Sequence, residues 1–163
     1  MAAGVKDWFV LNARDAEWSD STMGKYCPFE PGGERFRQMG FNLNVLAPGE
    51  PMAMYHRENG QEGFLVLDGD CVLVVEGEER PLRKWDYFHC PPGVAHVIVG
   101  AGDRPALVLA VGSRMHPGGL FYPADPVARK HGAAPAADTA DPKEAYAGHS
   151  IEKSAYQEGW LPE

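Results

Sequence analysis

Two short stretches decide the fold of this chain. The first is GEPMAMYHRENGQEGFLVLDG at residues 49–69, and the second is WDYFHCPPGVAHVIVG at residues 85–100. Each joins an apolar run of strand length to a turn sequence rich in glycine, proline or asparagine. Each also places histidine or glutamate beside its turn, so polar side chains stand where the strands of a small β domain begin or end.

The rest of the middle of the chain repeats this pattern of short apolar runs and tight turns, which predicts an all-β fold. The turn sequences around Gly69 and Gly77 predict hairpins between neighbouring strands. From Phe41 onward, apolar and polar residues alternate as in a half-buried strand. We predict strands at 41–46, 51–56, 63–67, 71–76, 79–82, 87–89, 96–99 and 106–111, and short helices at 126–131 and 142–146.

The two ends differ from this central part. Residues 1–35 mix aromatic and charged residues without a clear period, and we predict an N-terminal arm that packs on the barrel. Residues 36–115 are predicted to form the barrel itself, and residues 116–163 a C-terminal extension that contains the short helices. Within the extension, residues 132–142 are small, polar and interrupted by proline, which predicts a flexible linker or extended tail. The last aromatic residues indicate that the tail then docks on the domain.

Length and charge exclude several classes of protein. The 163 residues suit one domain, and no apolar run approaches the length that crosses a bilayer. The net charge of -8 repels phosphate backbones and anionic lipids, so we expect neither a nucleic-acid nor a membrane partner. The first residues lack the features of a signal peptide, which predicts a cytoplasmic protein. Three scattered cysteines, including Cys90 at a strand end, are expected to be reduced and mostly buried.

Four side chains are candidates for a metal site. His56 and Glu58 are two residues apart at a strand end and therefore project from one face. A turn at 59–60 reverses the chain and places Glu62 at the start of the next strand. His96 follows a Pro-Pro-Gly turn and begins another strand. If these strands share a barrel, two imidazoles and one or two carboxylates converge, which is a good ligand set for a divalent cation.

The same two stretches resemble the paired motifs of the cupin superfamily. The first family motif is G-x5-H-x-H-x3-4-E-x6-G, and the second is G-x5-P-x-G-x2-H-x3-N. In the first motif the matching residues are His56, Glu62 and Gly69, with Glu58 where the family usually has its second histidine. In the second motif the matching residues are Pro91, Gly93 and His96, whereas Trp85 and Gly100 replace the family's glycine and asparagine.

The resemblance implies a cupin double-stranded β-helix, a jelly-roll barrel of two antiparallel sheets with one divalent metal ion per subunit at its mouth. By position, it implies that His56, Glu62 and His96 are metal ligands. Glu58 departs from the family pattern, and it is either a fourth ligand or a general base or acid beside the metal. The mixed nitrogen and oxygen ligands suit manganese, iron, zinc or nickel.

Several functions remain open, because one fold supports many chemistries. The first hypothesis is a metal-dependent enzyme that acts on a small polar metabolite by isomerisation, epimerisation, decarboxylation or oxygenation, with Glu58 or a bound water moving a proton. The second is a non-catalytic module that binds or senses a small molecule. The third is a metal-free cupin whose polar residues form a hydrogen-bonded cluster. The aromatic N-terminal arm and the open strand edges also predict a homodimer.

Overall fold

Ten strands and two short α-helices build the part of the protein that the computed structural model describes, residues 8–163. The strands are β1 (Glu17–Ser21), β2 (Gly24–Pro28), β3 (Met39–Leu46), β4 (Glu62–Asp68), β5 (Asp70–Val75), β6 (Glu78–Arg83), β7 (Tyr87–Cys90), β8 (His96–Ala101), β9 (Ala106–Ser113) and β10 (Ile151–Ala155). The helices are α1 (Pro126–Lys130) and α2 (Pro142–Ala145), and a 3-10 turn covers Pro31–Gly33. Within these residues, no helix has the length and apolar character needed to cross a membrane.

The strands form two antiparallel sheets that enclose one apolar interior. The larger sheet has the order β10-β1-β2-β3-β9-β4-β7, and the smaller sheet has the order β6-β5-β8. Phe64 and Val66 of β4 and Ile98 of β8 belong to one buried cluster, so both sheets contribute to the same core. This architecture confirms the predicted all-β fold class, and the barrel that the two sheets form is open rather than closed.

A second apolar cluster lies on the outer face of the larger sheet. Alternation along β3 sends Val45 to this face, where it meets the fully buried Trp18 of β1. The Trp18 indole donates from Nε1 to the Ala13 carbonyl oxygen at 2.8 Å. Its ring packs on Tyr156 and Trp160, with ring centroids 6.2 and 5.2 Å away. The docking of the C-terminal aromatic residues is therefore confirmed, and they pack on the same sheet as Trp18.

Two local expectations in the middle of the chain are wrong. Residues 51–56 form isolated bridges rather than a strand, because only Pro51 and His56 pair with β8. The turn at Gly69 does not close a hairpin, because β4 lies in the larger sheet and β5 in the smaller one. Gly69 has a φ of 75°, and a Cβ there would lie 2.7 Å from the Ala106 Cα, so this crossover requires glycine. The turn at Gly77 does join a hairpin, formed by β5 and β6.

The described terminal regions are more ordered than the sequence indicates. Residues 132–142 are not a flexible linker: Ala133 is fully buried, and its carbonyl oxygen accepts a hydrogen bond from the Tyr55 amide at 2.7 Å. Strands β1, β2 and β10 were not predicted. The first two lie in the segment expected to be an arm, of which residues 1–7 fall outside the described residues.

Candidate metal centre

Two histidines meet where an irregular segment pairs with β8. The His56 amide donates to the His96 carbonyl oxygen at 3.2 Å, and the His96 amide donates to the His56 carbonyl oxygen at 2.9 Å. Residues that pair directly across an antiparallel bridge send their side chains to the same side of the sheet. The two imidazole centroids accordingly lie 5.0 Å apart.

Hydrogen bonds to the backbone fix the orientation of both imidazoles. His56 Nδ1 lies 2.7 Å from the Met54 carbonyl oxygen, and His96 Nδ1 lies 3.0 Å from the Val94 carbonyl oxygen. Because a carbonyl oxygen can only accept, each Nδ1 carries a proton and donates it. In the neutral ring, Nε2 then presents its lone pair, which is the tautomer that a metal-binding histidine needs.

Glu62, the first residue of β4, completes the group. Its Oε2 lies 3.1 Å from His96 Nε2, but this contact lacks hydrogen-bond geometry. Among residues 8–163, Glu62 Oε2 is the one fully buried side-chain oxygen or nitrogen without a hydrogen-bond partner. One ligand atom from each of His56, Glu62 and His96 lies within 4.8 Å of the others. A buried carboxylate oxygen without a donor is well suited to a cation.

The chemistry of these three residues fits a divalent metal ion. Two imidazole nitrogens and one carboxylate oxygen are ligands that zinc, manganese, iron and nickel accept. Because these residues offer three ligand atoms, an ion bound by them would have further coordination positions for a substrate or a small gas molecule. Two histidines and one carboxylate are also the ligand set of non-haem iron(II) oxygenases.

The two buried imidazoles have shifted pKa values. Burial lowers the pKa of His96, but the contacts with Cys90 and Glu62 outweigh burial and raise this pKa to about 10. Burial lowers the pKa of His56, and the charge of His96 lowers it further. Because a histidine binds a metal ion only through a neutral imidazole nitrogen, a proton on His96 competes with a metal ion for this site.

Glu58 lies outside this group of three ligand atoms. Its side chain lines the groove in front of the centre together with Glu62. Burial raises the pKa of Glu58, the charge of Glu62 raises it further, and His96 lowers it. The backbone of Glu58 is held by the Gly93 amide, which donates to the Glu58 carbonyl oxygen at 2.8 Å. Metal ligation by Glu58 stays a prediction, and its position equally suits a group that transfers protons.

Cys90 is a contact of the centre that the sequence did not assign. It pairs with Glu62 across β7 and β4, and its Sγ lies 3.3 Å from His96 Nδ1. Within the described residues all three cysteines are free and buried, as predicted. The rings of Phe64 and Phe88 also pack on His96, with centroids 5.3 and 5.8 Å away, so the imidazole is held in an apolar wall.

Two cavities that border Glu62 also reach other candidate site residues. An inner chamber of about 320 Å³ is bounded by all three clustered side chains and lies between the sheets. An outer groove of about 620 Å³ is bounded by Glu58 and Glu62. Glu62, Asn42 and Ala110 border both cavities, and Gly112 stands opposite Glu62 without a side chain. A small molecule can therefore contact the centre from the groove and extend into the chamber.

The fold and the centre define a class of protein, namely a small open β-barrel with a His–Glu–His cluster between its sheets. Residues 42–112 match the family described as Cupin_2: Cupin domain. This match confirms the resemblance to the cupin superfamily that the two motifs predict.

Two known proteins are similar to this chain in sequence. A 3-hydroxyanthranilate 3,4-dioxygenase of Xanthomonas euvesicatoria pv. vesicatoria is 32% identical over 82 residues, which cover 48% of this chain and 47% of that protein. The chain thus spans about half the length of the curated relatives it matches. A solved sugar phosphate isomerase of the cupin superfamily from Silicibacter pomeroyi is 26% identical, with a TM-score of 0.51 over 67% of this chain and 71% of that one.

The similarity to a further solved structure supports only the assignment of the fold. A cupin-like protein of Thermotoga maritima has a TM-score of 0.51 at 20% identity, over 63% of this chain and 77% of that one.

Proposed function

We propose that this protein is a metal-dependent enzyme of the non-haem iron dioxygenase type, acting on a small molecule with neighbouring oxygen or nitrogen donors. The observation that carries the proposal is the cluster of His56, Glu62 and His96, with both Nδ1 atoms bonded to carbonyls and one carboxylate oxygen unsatisfied. Two histidines and one carboxylate with open positions suit iron(II) and dioxygen chemistry. The likeness to a 3,4-dioxygenase over this part of the chain agrees with it.

The residues of the chain have distinct parts in this proposal. His56, Glu62 and His96 would hold one metal ion per subunit, and the ion supplies a Lewis acid and, as iron(II), an electron source for dioxygen. The aromatic wall formed by Phe64 and Phe88 keeps water away from His96 on the interior side. Glu58 faces the groove beside Glu62 and takes the proton of a substrate hydroxyl as that group approaches the centre.

A second candidate is an isomerase, favoured by the likeness to the sugar phosphate isomerase from Silicibacter pomeroyi. In that case Glu58 would move a proton between neighbouring carbon atoms of the substrate, and dioxygen would not be consumed. A non-catalytic module that binds a small molecule through the same centre would show neither activity.

Oxygen uptake separates these functions. The protein is purified without metal, loaded anaerobically with iron(II), and mixed with air-saturated buffer and 3-hydroxyanthranilate, catechol, pyrogallol or 2-aminophenol. We expect oxygen uptake with at least one of these probes, dependent on iron and on the probe. Glu62→Gln should abolish the uptake, whereas the matched Glu152→Gln on the exposed β10 should not. If iron binds at one ion per chain and none of the probes causes uptake, the dioxygenase proposal is wrong.

We also propose that the chain forms a homodimer. The part of the larger sheet's outer face that the chain ends leave uncovered carries exposed apolar side chains: Met39, Phe41 and Tyr87, with Trp85 and Met115 beside them. Exposed apolar groups of this size, grouped on one face, favour association of two copies through the same surface. Light scattering at micromolar concentration tests this, and a mass of one chain would exclude it.

A further inference from the structure

The inner chamber contains polar groups with unused hydrogen-bonding capacity. Asn44 is only 6% exposed, and its Nδ2 donates to the carbonyl oxygens of Val108 and Asn42 at 3.3 and 3.4 Å. No hydrogen bond reaches Asn44 Oδ1, the Asn42 side chain or the Tyr26 hydroxyl from anywhere in residues 8–163. All three side chains line the chamber, so each can bond to a molecule inside it.

The strand register explains why these groups face the same space. Tyr26 of β2 pairs with Asn44 of β3, and Asn42 pairs with Ala110 of β9, which in turn pairs with Phe64 of β4. Directly paired residues share a face of the sheet, so this row points inward with the side chains of the core. The small side chain of Ala110 leaves open the path from Asn42 to the centre.

The chamber differs from the outer groove in charge. The remaining described residues of the chamber wall are apolar apart from the metal-centre side chains, and none of them is lysine or arginine. The groove, in contrast, is lined by the exposed Arg35 and by Arg114, which is paired with Glu30. Away from the metal centre, a carboxylate or phosphate inside the chamber would therefore lose its water without gaining a positively charged side chain as a partner, which is costly.

We infer that the inner chamber is a subsite for an uncharged hydroxyl- or amino-bearing part of the substrate, recognised by Asn44 with help from Asn42 and Tyr26. Asn44 is well held for this purpose, because its amide nitrogen is bonded to the backbone and its Oδ1 is left to accept from a substrate hydroxyl or amine. Any anionic part of the same substrate is directed to the groove near Arg35. The inference rests on the proposed function, since it takes the metal centre as the point where substrate is anchored.

Binding of three small probes tests this assignment. Catechol offers two neighbouring hydroxyls to the metal, pyrogallol adds a third, and 2,3-dihydroxybenzoate carries a carboxylate where pyrogallol has that hydroxyl. Affinities are measured by calorimetry on protein loaded with Zn²⁺, under anaerobic conditions, so the readout does not depend on turnover. One additional hydrogen bond should make pyrogallol bind about fivefold more tightly than catechol, which corresponds to about 1 kcal/mol.

Variants then assign the difference to single residues. Asn44→Leu should bring the affinity for pyrogallol down to that for catechol, and Tyr26→Phe, which removes one hydroxyl, should reduce the pyrogallol advantage in part. Arg35→Gln should weaken 2,3-dihydroxybenzoate without changing pyrogallol. Gln157→Leu, an amide-to-leucine change on the exposed C-terminal segment, is the matched control.

The outcomes distinguish this inference from the proposed function. If Asn44→Leu and Tyr26→Phe both fold and neither lowers the affinity for pyrogallol, or if each weakens 2,3-dihydroxybenzoate equally, the subsite assignment is wrong even where oxygen uptake is present. If the pyrogallol advantage depends on Asn44 but iron-loaded protein consumes no oxygen, the subsite stands and the dioxygenase proposal falls.

Discussion

Replacing Glu62 by methionine should lower stability without metal and also remove the stabilisation that a metal ion provides. Without metal, Glu62 Oε2 lies 3.1 Å from His96 Nε2, and the contacts with Cys90 and Glu62 raise the pKa of His96 to about 10 against the effect of burial. Because the pKa of this histidine is about 6.5 in the unfolded chain, the contact stabilises the fold fully below that pH and ceases to do so as pH rises through about 10. Methionine has nearly the same volume but leaves His96 without its charge partner, which we expect to cost about 2 kcal/mol at pH 7.

The expected shifts in melting temperature follow from these free energies and from the length of the chain. A loss of about 2 kcal/mol lowers the melting temperature by about 4–8 °C in a protein of this size. For the wild type, a metal ion at a free concentration of one hundred times its Kd adds about 2.7 kcal/mol, or about 5–11 °C. Metal-free Glu62→Met should therefore melt below the metal-free wild type, and the difference should widen when metal is added.

Thermal unfolding at pH 7, followed by circular dichroism with EDTA or with Zn²⁺ or Mn²⁺ in excess, measures both differences. Glu62→Gln also removes the charge and should show a similar loss without metal, whereas Glu152→Met controls for the substitution on an exposed strand. A variant Glu62→Met that is as stable as the wild type without metal, or that metal stabilises as much as the wild type, would falsify the reasoning.

Three further results are expected from other parts of the structure. Cys90→Ala removes the Sγ contact to a site imidazole and should weaken metal binding by up to about tenfold, measured by competition with a chelating dye. Trp160→Ala exposes the ring of Trp18 and should lower the free energy of unfolding in urea by about 2–3 kcal/mol. The Arg104 guanidinium beside Asp68 lowers the pKa of that carboxyl to about 2, so the pair stabilises the fold above about pH 4 and ceases to do so as pH falls through about 2. The stability difference between wild type and Arg104→Gln should vanish over the same interval.

The sequence predicts the centre better than it predicts the strands around it. The spacing from His56 to Glu62 and the Pro-Pro-Gly turn before His96 are local features, and the structure brings these three side chains together. The segment before His56 was expected to be a strand, but its backbone pairs only at two isolated positions. Pairing of that kind depends on where β8 lies, which no local pattern encodes.

The larger sheet shows why the sequence does not reveal strands β1, β2 and β10. In β1, Trp18 is the one aromatic residue among polar neighbours, because the strand lies near the sheet edge and covers only a small cluster. Such a strand lacks the alternation that makes a buried strand visible. The hairpin predicted at Gly69 is wrong for a related reason. A turn sequence shows that the chain bends, but tertiary packing, including the close approach of Gly69 to Ala106, decides in which sheet the next strand lies.

The relative position of the His56 and His96 imidazoles depends on the two backbone hydrogen bonds between these residues. Each of these two residues carries an imidazole of the candidate metal centre, and its backbone forms the hydrogen bonds that join the segment to β8. Transient opening of this one pairing would therefore misplace both rings together and release an ion in a single event. Hydrogen–deuterium exchange at these two amides should slow in parallel when metal is added, and metal dissociation should be no slower than their rate of opening.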